Sequence, residues 1–177
     1  MVFIKRVKHL SNYFITVLVT VVSALMPINT SSGATSTATF RVTATVASSC
    51  SVSATTLAFG NYTLAQLDGS STITATCTNG TTYTIGLDAG TFAGATTSTR
   101  KMTGPSASGL SYALYSDSGR TTNWGNATGS WVSGTGTGAA QVLSVYGRIP
   151  ASQTASIGSY SDTITVTITF YINLMRK

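Results

Sequence analysis

The stretch "SDTITVTITFYINL" (Ser161–Leu174) sets Ile164, Val166, Ile168, Phe170, Ile172 and Leu174 on one side of an extended chain. Thr163, Thr165, Thr167 and Thr169 fall on the other. Successive side chains of a strand point to opposite faces, so this strict period of two predicts a strand with one face on a core. β-Branched residues suit such a pleated, half-buried surface. A second stretch reads the same way: "ATFRVTATV" (Ala38–Val46) carries Ala38, Phe40, Val42, Ala44 and Val46 on one face. Thr39, Arg41, Thr43 and Thr45 occupy the other.

Between these two lie shorter apolar-alternating runs: "SVSATTLAFG", "STITATCTNG", "TYTIGL", "LSYALYS" and "AAQVLSVYGRIP". Gly, Asn, Asp and Ser separate them, as turns require. The Asn79-Gly80 pair within "TNGTT" predicts a hairpin joining the runs on either side of it. Residues 88–109 and 116–138 are long and low in apolar content, and read as loops with one extra edge strand. No amphipathic helical period appears after the first 34 residues. Strands with one apolar and one threonine-rich face predict an all-β, antiparallel sandwich.

The first residues read as an export signal. Lys5, Arg6 and Lys8 precede an uncharged apolar run, Tyr13 to Met26, and Pro27 ends it. Ser32 and Ala34 supply small residues at a cleavage position, with Val22 and Ala24 as a second option upstream. The apolar run is shorter than the ~20 residues a membrane-spanning helix needs. Cleavage after Ala34 leaves 143 of the 177 residues, enough for one domain with a real core. It also removes three of the ten basic residues and none of the four acidic ones, so the formal charge falls from +6 to +3. Arg41, Arg100, Lys101, Arg120 and Arg148 are scattered rather than clustered, which argues against nucleic acid as a partner.

Few side chains are available for chemistry. The only histidine, His9, belongs to the signal, and the sequence has no glutamate. Asp68, Asp88, Asp117 and Asp162 are the only carboxylate side chains. Such a chain has little with which to build a general base or a metal shell, so no catalytic residue, metal or cofactor is expected. Asp88, Asp117 and Asp162 stand in turn-like contexts where aspartate bonds nearby backbone. "STRK" (98–101) lacks the companion elements of serine acyl enzymes, and "SGTGTGAAQ" (133–141) leads into a strand rather than a helix, unlike a phosphate loop. Trp124 and Trp131, with Tyr83, Tyr112, Tyr115 and Tyr146, read as core and core-edge aromatics rather than a sugar-stacking surface. Cys50 and Cys77 have neither CxxC spacing nor a histidine partner, and in an exported chain they are expected to form one disulfide.

Taken in order, "SCSV", "LAFGNY", "LYSDSGRTTNWG" (114–125), "VYGRIP" (145–150) and "GSYSDTITVTITF" (158–170) resemble the spore coat protein U domain family. Within it the chain is most similar to major rod subunits of Csu-type pili, products of the archaic chaperone–usher pathway. The resemblance implies an incomplete immunoglobulin-like sandwich whose missing strand is donated by another subunit or by a chaperone. It further implies a periplasmic chaperone, an outer-membrane usher, minor pilus subunits, and identical subunits joined head to tail in a fibre. Residues 1–34 are then the signal peptide, 35–46 the donor-strand extension with Ala38, Phe40, Val42, Ala44 and Val46, and 47–177 the pilin body. Ile164, Val166, Ile168 and Phe170 would line the groove and meet the chaperone, while the tail "YINLMRK" departs from the family pattern.

On this reading the protein is exported through the periplasm to the cell surface and supports attachment and biofilm formation without enzymatic activity. A secreted or surface binding module of the same fold, an adhesin or coat protein, is the alternative. A tip adhesin is expected to carry an additional receptor-binding domain, for which 143 residues leave no room.

Overall fold

The computed structural model describes residues 32–171, which fall in two units, up to Thr43 and from Ala44 onward. The predicted signal, except for its last three residues, lies outside the described residues, as do Ile172 and Leu174. Residues 32–43 carry no strand or turn and are exposed throughout.

The second unit is built from eight strands: β1 (Cys50–Ala54), β2 (Leu67–Cys77), β3 (Thr82–Leu87), β4 (Arg100–Thr103), β5 (Gly109–Tyr115), β6 (Val132–Thr135), β7 (Ala140–Ile149) and β8 (Val166–Phe170). They form a five-stranded sheet in the order β1-β2-β7-β5-β4 and a three-stranded sheet in the order β6-β3-β8. Every pairing of named strands is antiparallel. The core is fed by alternate residues of both sheets: Ile73, Ala75 and Cys77 from β2, Tyr83, Ile85 and Leu87 from β3, and Leu110, Tyr112 and Leu114 from β5. The all-β antiparallel expectation holds.

Two local expectations need correction. The runs flanking Asn79-Gly80 do not form a hairpin, because β2 and β3 belong to different sheets. Gly80, at φ +81°, makes the sharp reversal. Its amide then donates to the Gly136 carbonyl rather than closing a ladder between the two strands. The turn therefore carries the chain across the sandwich. The stretches 88–109 and 116–138 contain two short strands rather than one, β4 and β6, each four residues long. β4 is held by Arg100, which is 0% exposed yet makes no ion pair among the described residues. It donates instead to four backbone carbonyls, of Leu87, Asp88, Thr97 and Trp124, at 2.7–2.9 Å. Burial lowers its pKa, and the carbonyl cage compensates the buried cation.

The segment "LYSDSGRTTNWG" proves architectural. The Asp117 carboxylate accepts from the Thr121 and Thr122 amides, which fixes the turn. The Thr122 amide is the largest of the contacts that lower its pKa. Arg120 reaches back to Asp68 and to the Gly147 carbonyl, and lies over the Tyr146 ring. Trp124 is buried, with Nε1 donating to the Ile85 carbonyl at 2.9 Å, so it is core, as expected. Tyr83 and Tyr112 are buried, Tyr115 and Tyr146 half-buried, and Trp131 sits at the surface.

Candidate functional site: an open groove beside an unpaired strand edge

β8 carries Val166, Ile168 and Phe170 toward the core, with Ile164 just before it, while Thr163, Thr165, Thr167 and Thr169 are exposed. The sequence pattern is thus realised, but none of the four apolar residues is fully buried. The reason is the edge. β8 pairs with β3 through Tyr83↔Phe170, Ile85↔Ile168 and Leu87↔Val166, and with no described strand on its other side. The Asp88 amide donates to the Thr165 carbonyl at 3.2 Å, so Thr165 turns its backbone groups toward β3. In an antiparallel ladder that direction alternates, so Val166, Ile168 and Phe170 aim their N–H and C=O groups at the open edge. An open edge of this kind is a template for another strand.

Beside this edge the sandwich opens. A cavity of about 440 Å³ lies between the chain after β1 and the chain before β8. Its walls include Leu57 and Phe59 on one side and Tyr160, Ile164 and Val166 on the other, and its floor includes Ile73, Tyr112, Leu114 and Val145. Farther along, several Cα atoms of β1 and β8 come within 8 Å of each other without hydrogen bonding. Packed sheets normally stand ~10 Å apart. The two edges are therefore pinched together along β1 and β8 and gape at residues 54–59 and 160–166. Ile164 and Val166 reach the cavity; Ile168 and Phe170, farther along β8, do not line it.

Each wall has its own anchor. Gly69 and Gly147 are cross-strand partners. Leu57 and Phe59 pack over them so closely that a Cβ on Gly147 would stand 2.7 Å from the Phe59 ring. Two glycines thus seat one wall. The other wall is clamped by carboxylates. Asp162 accepts from the Tyr112 hydroxyl at 2.6 Å and from the Thr91 amide and hydroxyl at 2.8 Å. Asp88 accepts from the Gly90 and Thr165 amides. Burial pushes the Asp88 pKa up, but the Thr165 and Gly90 contacts and nearby Arg100 outweigh it and leave the carboxyl below its usual range. Tyr112 is raised well above a normal phenol, by burial first and by its bond to Asp162 second, so it stays a neutral donor. Asp88 and Asp162 therefore tie distant segments together rather than serving only local turns.

The second unit starts at Ala44, and its beginning is fastened by Thr78. The Ser49 amide donates to the Thr78 hydroxyl, that hydroxyl donates to the Ala47 carbonyl, and the Thr78 amide donates to the Ser49 carbonyl. Cys50 and Cys77, the first register pair of β1 and β2, are joined by a disulfide. Just upstream, Val46 is 84% exposed, and in the N-terminal unit Phe40 and Val42 are 87% and 80% exposed. Ala38 and Ala44 are exposed as well. None of the five lies in a strand. Leu57, Phe59, Met102 and Tyr160 escaped the sequence reading as groove residues; the alternation of Leu57 and Phe59 was the one available signal.

Among the described residues no three His, Cys, Asp or Glu side chains gather as metal ligands. Residues 36–167 match the model of the Spore Coat Protein U domain. Protein U of Myxococcus xanthus is 34% identical over 169 residues, covering 86% of this chain and 94% of that protein. Among solved structures, the chain resembles one in the CsuC–CsuE chaperone–tip adhesion subunit pre-assembly complex, from archaic chaperone–usher Csu pili of Acinetobacter baumannii. The TM-score is 0.55 at 22% identity over 70% of this chain, which spans 40% of the length of the solved one. The likeness is one of fold.

Proposed function

The chain belongs to the Spore Coat Protein U domain family, and from that premise we propose that it is a non-enzymatic pilus subunit assembled by donor-strand exchange. The observation that carries the reading is the open core beside the free edge of β8, together with exposed Phe40, Val42 and Val46. An alternating apolar strand laid against β8 would satisfy its unpaired backbone groups and fill the gap between the sheets. This is β-strand addition, for which chaperone–pilin complementation is an established instance. Each large donor side chain buried would contribute roughly 1.5–3 kcal/mol.

In this reading residues 1–34 are removed on export, residues 35–46 form the donor-strand extension, and the body starts at residue 47. A periplasmic chaperone supplies the first occupant of the groove. At an outer-membrane usher, the extension of the next subunit replaces it. Repetition of this head-to-tail contact does not close on itself and so yields a filament, with minor subunits at its end. Attachment and biofilm formation would be its uses.

A monomeric coat protein of the same fold is the second reading, favoured by the family description. One experiment separates the two. Residues 35–46 are deleted and the protein is expressed with its cognate chaperone. The pilin reading expects a soluble chaperone complex that forms no fibres and is partly released to a folded state by the missing peptide. A truncated chain that folds as a stable monomer without chaperone would overturn it in favour of the coat reading.

A further inference from the structure

Resting on the donor-strand reading, we propose that the rim of a second cavity, at Leu64 and Ile157, docks the body of the copy whose extension fills the groove. This cavity, about 700 Å³, continues from the first and shares Leu57, Phe59, Met102 and Tyr160 with it. Ile157 is 100% exposed and Leu64 61% exposed, both on its lining. Two large aliphatic side chains at the mouth of an apolar-floored cavity mark an interaction surface. Leu64 is also held at φ +65°, a left-handed conformation that a branched side chain adopts at a cost, with its carbonyl accepting from the Ser152 amide.

Tether length names the occupant. Thr78 grips Ala47 and Ser49, so the rigid body begins one residue after Val46. Consecutive Cα atoms are about 3.8 Å apart. When Val46 sits in a neighbour's groove, the donor's own body must therefore stand directly at the groove mouth. Every pairing of named strands is antiparallel, and an antiparallel donor along β8 brings Val46 out at the Ile164 end. That end adjoins the second cavity. The surface presented there is the Thr78 end of the donating copy, which includes Asn79, Gly80, Thr137 and Gly138, all exposed. The occupant is a second copy of this chain.

The test places a benzophenone photo-cross-linker at position 157 in fibres grown with chaperone and usher. Cross-links are expected to peptides around Ser49, Thr78–Gly80 or Thr137–Ala139 of a neighbouring copy. Cross-links confined to other surfaces, or none between copies, overturn the proposal; a parallel donor would shift them away in this manner. A second arm uses Leu64→Asp with Ile157→Asp, which alters only exposed side chains. This variant is expected to bind a synthetic Thr35–Val46 peptide within about twofold of the unsubstituted subunit while fibre yield falls at least tenfold. Unchanged fibre yield refutes the docking surface. Failure of the unsubstituted subunit to bind the peptide refutes the donor-strand reading beneath it, and the docking surface with it.

Discussion

Ala38–Val46 and Ile164–Phe170 carry the same pattern, an apolar residue at every second position with threonine on most of the others. Their situations are opposite. The first has no strand, and all five of its apolar side chains are exposed. The second holds a ladder to β3, and its apolar residues turn toward the core. Alternation specifies a strand that needs one covered face; it does not specify who covers it. The difference comes from the neighbours in sequence. Ser161 exchanges two backbone hydrogen bonds with Thr103, and Asp162 and Asp88 fasten the residues on either side of Ile164. Ala38 to Val46 lie ahead of Ala47 and Ser49, the first residues that Thr78 fastens.

The sharpest way to break this comparison is to charge one face of the free strand. Val42→Asp is expected to abolish fibre formation, while Thr43→Asp leaves it within about twofold, counted by electron microscopy and heat-stable ladders on gels. Equal effects at the two positions would mean that the faces have been assigned wrongly.

A smaller effect is expected where the two regions meet the rigid sheet. The disulfide closes a separation of 27 residues, for which the chain-entropy model gives roughly 3.5 kcal/mol. The paired change Cys50→Ser with Cys77→Ser should lower the unfolding free energy of the peptide-filled subunit by about that amount in a denaturant titration. It should leave the peptide's place on β8 unaltered. A loss under ~1 kcal/mol would show that Thr78 alone fixes this end.

The mildest expected effect is on acidification. The Asp88 pKa lies below its ordinary value of 3.8 in the folded chain. Its contribution is therefore fully present above that value and lost as pH falls through the lower, folded one. The wall that Asp88 fastens through Thr165 should loosen only below about pH 4. A stability profile flat down to pH 2, or one already falling at pH 6, would contradict the clamp.

Much of this could be read from the residues. Strand content, the apolar faces of β2, β3, β5, β7 and β8, the core role of Trp124 and the pairing of Cys50 with Cys77 follow from period, composition and export context. The pairing of strands did not follow. An Asn-Gly turn looks the same whether the chain doubles back in one sheet or crosses to the other, and here contacts to Gly136 decide. β4 was hidden because Arg100 is a buried cation, a choice that makes sense only once four carbonyls converge on it. Half of the groove was legible in Ile164 and Val166. The opposite wall depends on a cross-strand glycine pair that sequence separation conceals, Gly69 with Gly147.

On the proposed reading the free edge of β8 takes the alternating stretch Ala38 to Val46 as its next strand. Amide hydrogen exchange measures this directly, on the subunit lacking residues 35–46 after the Thr35–Val46 peptide has replaced the chaperone. The Val166, Ile168 and Phe170 amides, which face the open edge, are expected to be protected at least a hundredfold over the unfolded chain, alongside Thr167 and Thr169, which bond toward β3. Unprotected exchange at the three outward-facing amides beside protected Thr167 and Thr169 would contradict it.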